Sequence, residues 1–303
     1  MSMGRIIALA VALAAVGGAV WTLRAAERAE QRAEATWPPR GAFVDVNGRR
    51  VHYVQQGTGP DVVLIHGAYG NLRDVTFSLL GRLVAQGFRV TAFDRPGLGY
   101  TQQADPAHDG AWAGDADSPA QQAALLASAA DRLGVVRPVV VGHSYGGSVA
   151  MAWGLDHAPA AVVSLAGAIM PWPGGLDATY RILGTRLGGA IVPPLVTAYL
   201  DPAATRETTA ATFAPQTMPD GYFDHVGPGL ALRRATLRAN ARQVTALKGH
   251  LRAQSARYAG MALPVELVHG TADDTVGLSI HSDAAADLLP DARLTVLEGV
   301  GHM

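Results

Sequence analysis

Cysteine is absent from the 303-residue sequence, and charged residues of both signs are sparse. Without cysteine the protein has no disulfide, no thiolate nucleophile and no cysteine-ligated metal, and the redox compartment stays open. Charged side chains make up 16% of the residues and the formal net charge is −1, so nothing favours a nucleic-acid partner. Lysine occurs once among the 24 basic residues, at Lys248, and we attach no function to this bias.

Two motifs that would indicate other chemistry are also missing. The sequence contains no Gly-x-x-x-x-Gly-Lys phosphate loop and no His-Glu-x-x-His zinc motif. Six of the ten histidines show no metal-ligand spacing: His52, His108, His157, His225, His250 and His281. We therefore expect a protein that acts on a small-molecule substrate without a cofactor.

Apolar residues, in contrast, make up 49% of the sequence, enough for one sizeable domain or a domain with an insertion. The run from Ile6 to Leu23 carries no charge and approaches the roughly 18–20 residues that span a bilayer. Cleavage sites near Arg24 are poor, which favours a membrane anchor over a signal peptide. Arginines flank both ends of the run, so the side of the membrane stays open. Residues 24 to 35 predict a charged helix or stalk that ends at Trp37-Pro38-Pro39.

From about residue 42 onward, short β-branched runs alternate with helical patterns. An antiparallel hairpin is predicted over residues 43–54 because two alternating runs flank Asn47-Gly48. Buried strands are predicted at 61–65, 88–93, 138–142, 161–166, 263–268 and 293–297. Helices are predicted at 75–85 and, from a Ser-Pro start, at 118–133. This alternation predicts an α/β protein with a mostly parallel sheet.

Between about residues 171 and 260 the pattern changes to helical pieces interrupted by proline, with no convincing strand. Four apolar residues recur every seven positions and predict one helix face: Leu230, Leu237, Val244 and Leu251. Three arginines flank that face: Arg234, Arg238 and Arg242. We expect them to be solvated, the alternative being contact with a membrane surface or an anionic substrate. The sequence thus divides into an anchor and stalk (1–41), a core (42–170 and 261–303) and a helical lid (171–260).

The most informative stretch is Gly142-His143-Ser144-Tyr145-Gly146, between a predicted strand and a helical pattern. Gly-x-Ser-x-Gly in that setting predicts a nucleophile elbow, a tight turn with the serine hydroxyl at its tip. The glycines are small because the strand end and the first helical turn pass close together. The N–H groups that begin the helix favour negative charge, which suits an oxyanion formed when Ser144 attacks a substrate.

A serine nucleophile needs a general base, and the base needs an acid that orients it. Active sites of open α/β sheets lie at the carboxyl ends of the strands, so the partners should follow later strands. Asp273 and Asp274 come just past one predicted strand, and His302 comes just past the last. The order serine, aspartate, histidine is the one found in α/β-hydrolases.

Five motifs occur in order: His66-Gly67, Asp94-Arg95-Pro96-Gly97-x-Gly99, Gly142-His143-Ser144-Tyr145-Gly146-Gly147, Gly270-x-x-Asp273 and Gly301-His302. With them the sequence resembles the lidded, esterase-like serine hydrolases of the α/β-hydrolase fold, from about residue 42 to its end. The resemblance implies that Ser144 is the nucleophile, His302 the general base and Asp273, rather than Asp274, the orienting acid. It also implies an oxyanion hole formed by the N–H groups of Ala68 and Tyr145, and structural roles for His66 and His143.

We therefore expect hydrolysis of an ester or related acyl bond of a small apolar substrate through an acyl-enzyme. Acyl transfer, C–C bond hydrolysis and cofactor-free haloperoxidase chemistry stay open, as does a membrane-anchored binding protein without turnover. Dehalogenase and epoxide-hydrolase chemistry is disfavoured, because in this fold it uses an aspartate nucleophile. Relatives normally continue into a closing helix after the histidine, whereas the sequence stops at Met303, which leaves open whether it is a fragment. No oligomeric state is indicated.

Overall fold

The computed structural model describes residues 2–303 and contains one eight-stranded sheet. Its strands are β1 (Ala42–Val46), β2 (Arg49–Gln56), β3 (Asp61–Ile65), β4 (Arg89–Phe93), β5 (Val139–His143), β6 (Ala161–Leu165), β7 (Val265–Gly270) and β8 (Ala292–Leu297). They are arranged in the order β1-β2-β4-β3-β5-β6-β7-β8. β2 is antiparallel to β1 and to β4, and all other neighbours are parallel. The predicted α/β fold, with a mostly parallel sheet that opens on an antiparallel hairpin, is confirmed.

Helices cover both faces of this sheet. The helices before β6 are α1 (Met3–Thr36), α2 (Leu72–Phe77), α3 (Leu79–Ala85), α4 (Pro119–Arg132) and α5 (Tyr145–Asp156). Alternate residues of β3 belong to different cores: Val63 and Ile65 pack with α4 and α5, whereas Val62 and Leu64 pack with α2 and α3. Because side chains of a strand alternate between its two faces, a strand covered on both sides is apolar throughout.

The predicted helix over 75–85 is two helices in the structure. Asn71 begins α2, because its side chain accepts a hydrogen bond from the Arg73 amide at 3.0 Å. Ser78 then leaves the helical conformation, with φ −132° and ψ −39°, and α3 follows it. The predicted start of α4 is confirmed: Ser118 and Gln121 form a reciprocal capping box.

The segment between β6 and β7 is helical, and the described residues form no strand there. Its helices are α6 (Ala178–Leu183), α7 (Arg186–Tyr199), α8 (Arg206–Ala211), α9 (Tyr222–Val226), α10 (Pro228–Ala231) and α11 (Arg234–Ser255), and the short α12 (Ala284–Ala286) follows β7. Leu237, Leu247 and Leu251 are buried on one face of α11. Leu230 lies in α10 instead, because the extended Arg233 separates the two helices, so the predicted seven-residue series spans both.

The expectation that the arginines beside this face are solvated is wrong. Arg234 binds Glu30 of α1 through two nitrogens, with Nη2–Oε2 at 2.5 Å and Nε–Oε1 at 2.9 Å. Arg238 donates to the Gly189 carbonyl of α7 at 2.6 Å. Arg242 is 3% exposed and donates to the carbonyls of residues 110 and 111. The arginines therefore join α11 to α1, to α7 and to the loop before α4.

Helix α1 is continuous over the 34 residues Met3–Thr36, so the predicted anchor and stalk segments form one helix. Trp37 is its C-cap, at the place where the sequence predicts the end. By length and composition it is the one helix of residues 2–303 that is long and apolar enough to cross a membrane. Its first part is exposed, whereas Ala26 and Ala33 are buried in its second part, which packs against α7 and α10. The Trp37 indole then donates to the Asp224 carbonyl at 2.8 Å. The division of the chain into anchor, core and lid stays a prediction.

Candidate active site

Ser144 occupies the sharp turn between β5 and α5. Its φ of 54° and ψ of −120° lie in a region that residues other than glycine rarely adopt, and such strain persists only where the surroundings impose it. The Ser144 amide donates to the Leu165 carbonyl at 3.0 Å, and its own carbonyl accepts from the amides of Gly147 and Ala168 at 3.0 Å. These hydrogen bonds from two directions hold the turn.

The glycines of the elbow are required by close approach of backbone. A Cβ at Gly142 would overlap the carbonyl oxygen of Gly146, and a Cβ at Gly146 would overlap the carbonyl oxygen of Ile65 at the end of β3. The strand, the turn and the first turn of α5 therefore fit together only without side chains at these two positions. The predicted elbow geometry is present.

An aspartate and a histidine form a hydrogen-bonded pair beside this turn. The Nδ1 atom of His302 lies 2.8 Å from Oδ2 of Asp273, and both side chains are buried. The other oxygen, Oδ1, accepts from the amides of Thr275 at 2.9 Å and Val276 at 2.8 Å. Asp274, the alternative acid, is exposed.

Asp273 is arranged to be ionised at neutral pH. Burial works against its charge, but hydrogen bonds from His269, His302 and the Val276 amide outweigh it and lower the pKa of Asp273 well below its usual range. A carboxylate only accepts hydrogen bonds, so the proton of His302 sits on Nδ1 and Nε2 is left as the basic nitrogen.

Ser144 and His302 border one cavity but are not hydrogen bonded to each other. Within residues 2–303 the Ser144 hydroxyl has no side-chain or backbone partner, and it is not bonded to the imidazole. Hydrogen bonds between nucleophile and base are often long without substrate and tighten in the substrate complex. The structure thus brings the three predicted residues to one site and pairs two of them.

Two backbone N–H groups are available next to Ser144. Ala68 follows Gly67 after β3, and a Cβ on Gly67 would lie 3.0 Å from the Cβ of Ser144. Tyr145 is the first residue of α5, so its N–H has no acceptor within the helix. Within residues 2–303 neither the Ala68 amide, in its loop, nor the Tyr145 amide, at the start of α5, donates a backbone hydrogen bond. The two amides predicted for an oxyanion hole therefore flank the serine.

His66 fixes the loop that carries Ala68. Its Nδ1 donates to the Gly67 carbonyl at 2.9 Å, and its Nε2 accepts from the Arg95 amide at 2.9 Å. Burial, together with the Arg95 charge, lowers the pKa of His66 to about 4, so the ring is neutral. The Arg95 guanidinium donates to the Gly67 carbonyl at 2.9 Å and lies 3.8 Å above the Tyr145 ring. His66 and Arg95 thus hold the loop against the start of α5.

Sequence reasoning missed His269, which reaches the same carboxylate. Its Nε2 lies 3.1 Å from Oδ2 of Asp273 and 2.6 Å from the Val276 carbonyl. Both are acceptors, so Nε2 carries the proton and Nδ1 accepts from the Ser282 hydroxyl at 2.7 Å. Asp273 therefore receives two imidazole N–H groups on one oxygen. The place of His269 at the end of β7, four residues before Asp273, was the available signal.

His143 contacts His302 from the elbow itself. Its Nε2 lies 3.0 Å from the His302 carbonyl, and the two ring centres are 4.9 Å apart. Burial, with the neighbouring His302, lowers the pKa of His143, so its ring is neutral at pH 7. The residue before Ser144 thus holds the segment that carries His302.

The cavity above Ser144 has a volume of about 450 Å³. Core residues form its floor, and residues of the helical segment after β6 form its walls. The wall residues include Tyr180, Thr208, Thr212, Tyr222, Val226 and Leu232. The Tyr69 amide donates to the Asn240 side chain at 2.7 Å, which ties the floor of the cavity to α11. No group of three or more His, Cys, Asp or Glu side chains in residues 2–303 is placed to hold a metal ion.

Comparison with known proteins gives the family. Residues 62–303 match the model of the Alpha/beta hydrolase family, and the chain belongs to this family. It is 39% identical over 125 residues to the dihydrolipoyllysine-residue acetyltransferase component of the acetoin cleaving system of Cupriavidus necator, covering 41% of this chain and 30% of that protein. It is 42% identical over 67 residues to a zearalenone hydrolase of Bionectria ochroleuca, covering 22% of this chain and 25% of that protein. The chain thus spans less than a third of either relative.

Among solved structures, an esterase from Exiguobacterium antarcticum superimposes with a TM-score of 0.65. The match covers 87% of this chain and 92% of the esterase, at 18% sequence identity. The shared feature at that identity is the fold.

Proposed function

We propose that the protein is a serine hydrolase that cleaves an ester or related acyl bond of a small apolar substrate. The observation that carries this proposal is the pair of buried side chains Asp273 and His302, 2.8 Å apart, at the cavity that also holds Ser144 on a strained turn. Membership of a hydrolase family and similarity to a protein named as a hydrolase support the reaction class.

In the proposed reaction Ser144 Oγ attacks the carbonyl carbon of the substrate while Nε2 of His302 takes the hydroxyl proton. The amides of Ala68 and Tyr145 stabilise the oxyanion of the tetrahedral intermediate. His302 returns the proton to the leaving alkoxide, which leaves an acyl-enzyme on Ser144. Water, deprotonated by His302, then attacks the acyl carbon, and the bond from that carbon to Ser144 Oγ breaks. His302 returns the proton to Ser144 Oγ, which releases the acid and regenerates the free serine.

The surroundings of the proposed base suit this cycle. Ionised Asp273 holds His302 with Nε2 free and stabilises the imidazolium that forms twice in each turnover. The start of α5, a helix of 12 residues, adds the field of its N–H groups to the oxyanion site. The proposed catalysis thus draws on one nucleophile, one base and two N–H donors that all lie close to one cavity.

The cavity supports a substrate of modest size. Its volume of about 450 Å³ lies at the lower end of the range for small-molecule sites. The lid contributes aliphatic carbons from Val226, Ala231 and Leu232. The one acidic side chain among the cavity residues, Asp74, already accepts from the Tyr222 hydroxyl at 2.7 Å. An uncharged acyl group therefore fits this wall.

We further propose that α1 attaches the protein to a membrane as a single N-terminal anchor. The support is its exposed apolar part, which meets the length and composition of a span, and the polar contacts that begin after it.

A fluorophosphonate probe on the full chain tests the hydrolase proposal directly, because an activated serine hydroxyl attacks its phosphorus and displaces fluoride. We expect one adduct, on Ser144, and loss of that adduct in Ser144→Ala. Ser148→Ala is the matched control, since Ser148 lies one turn along α5 and its hydroxyl donates to the Tyr145 carbonyl at 2.7 Å. Absence of an adduct from folded protein would show that the site is not a serine hydrolase. A panel of esters with increasing acyl length then reports the size limit of the cavity.

A further inference from the structure

Helix α7 turns its large apolar side chains outward and its small residues inward. Four residues at four-residue spacing are 62%, 51%, 45% and 59% exposed: Leu187, Ile191, Leu195 and Tyr199. Ile182 and Leu200 extend the same exposed surface at its two ends. We call these six residues the α7 apolar face. The buried residues of the helix are Gly189, Pro193, Pro194 and Thr197.

Packing within the chain does not explain this arrangement. A helix that stabilises a core places its large apolar side chains toward the protein and its polar ones toward water. In α7 the order is reversed, and from Leu187 to Tyr199 no residue is an acid, a lysine or an arginine. A contiguous exposed apolar surface of this kind marks a contact with a partner or a membrane.

The α7 apolar face is continuous with the exposed apolar part of α1. The Tyr199 hydroxyl lies 3.0 Å from the Thr22 hydroxyl, at the end of the apolar run of α1. Trp21 beside it is 64% exposed, and Ala26 one turn further on is fully buried where α1 packs against α7. The two apolar surfaces therefore meet at residues Trp21, Thr22 and Tyr199.

We propose that the α7 apolar face lies in the surface of the bilayer that α1 enters, so that the lid makes a second membrane contact. Tyrosine and tryptophan favour the membrane–water interface, where the ring is in an apolar layer and the polar atom is hydrated. Trp21 and Tyr199 meet that condition at the junction of the two helices. An uncharged helix face with aliphatic residues is suited to the acyl boundary of the interface. This inference rests on the membrane attachment proposed above, and not on the hydrolase chemistry.

The absence of cysteine makes a direct test possible on the full chain, since one introduced cysteine carries a single label. Ile191→Cys places an environment-sensitive NBD label on the α7 apolar face. Val16→Cys places it in the apolar part of α1, and Val136→Cys places it in the loop before β5, at a residue that is 70% exposed. All three positions are exposed, so none of the substitutions opens the core. Each variant is reconstituted in phosphatidylcholine vesicles with and without lipids that carry a nitroxide near the headgroup.

We expect the nitroxide lipids to quench the labels at positions 191 and 16 and to leave the label at 136 unchanged. Quenching at 16 with none at 191 would overturn the lid contact while leaving the anchor in place. No quenching at either position would remove the membrane attachment and this proposal with it. The label at 191 could instead show blue-shifted emission that nitroxide lipids do not quench and that is lost when each nanodisc holds one copy of the chain. That result would assign the α7 apolar face to a contact with a second copy and overturn the bilayer contact. Fluorophosphonate labelling in detergent is independent of all these outcomes.

Discussion

Replacing Asp273 by asparagine changes an acceptor into a donor where two histidines converge. The amides of Thr275 and Val276 both donate to Oδ1, so the asparagine oxygen is drawn to that place. Its NH2 group then faces Nδ1 of His302 and Nε2 of His269, which are 2.8 and 3.1 Å from the present oxygen and carry protons. Donor then faces donor on both sides.

His302 can relieve this conflict by moving its proton to Nε2, but the base is then lost. An equivalent change in serine proteases lowers kcat on the order of 10⁴-fold, because the wrong tautomer is held. That factor corresponds to about 5 kcal/mol in the activation free energy. His269 cannot relieve the conflict in the same way, because its Nε2 also faces the Val276 carbonyl at 2.6 Å. We therefore also expect Asp273→Asn to lower the free energy of unfolding by about 1–3 kcal/mol for the unmatched buried donors.

The measurement is kcat/KM with a short-chain p-nitrophenyl ester, with thermal unfolding followed in parallel. Asp274→Asn is the matched control, since it removes the charge of an exposed side chain that is one residue away from Asp273. We expect the control to keep its activity and stability. If Asp273→Asn loses less than about tenfold in kcat/KM, or if Asp274→Asn loses as much, the assignment of Asp273 as the orienting acid is refuted.

Two further predictions concern the elbow and the loop beside it. Gly142→Ala should abolish fluorophosphonate labelling, because the added Cβ overlaps the Gly146 carbonyl. The control is Gly249→Ala, whose added Cβ meets no atom within 4 Å and should stabilise α11 by up to about 1 kcal/mol. Equal behaviour of the two variants in labelling and thermal unfolding would contradict this prediction. His66, with its pKa lowered to about 4 by burial and by Arg95, should stay neutral in ¹H–¹⁵N spectra down to pH 5. Since the unfolded state protonates near pH 6.5, this histidine's contribution to stability should be complete above that pH and lost as the pH falls toward 4; a charged His66 ring at pH 6 would argue against it.

Local features of the sequence were enough to predict the elements that position the site. The elbow was predictable because strand, turn and helix are consecutive, and because Gly142 and Gly146 are required by contacts within that short segment and with β3. The parallel sheet was predictable because β-branched runs alternate with helices and active sites gather where such strands end. The break at Ser78 was not visible, since the apolar spacing continues through α2 and α3.

Side-chain partners that are distant in sequence were not predictable. The flank of α11 has the composition of a solvated face, yet Arg234 is bound by Glu30, 204 residues earlier. His269 has the same neighbours in sequence as an ordinary strand-end histidine, and only the folded turn brings its Nε2 to Asp273. In both cases the partner depends on how elements pack, and periodicity carries no information on that.

The sequence by itself determined the α/β class, the elbow at Ser144 and the candidates Asp273, Asp274 and His302, because each depends on residue types at short spacing. The tertiary structure decided which carboxylate meets His302, which residues hold the loop of Gly67 and Ala68, and that α1 lies against α7 and α10 with an apolar face beside it. These are contacts between residues up to 204 positions apart, and their geometry is set by the packing of the whole chain.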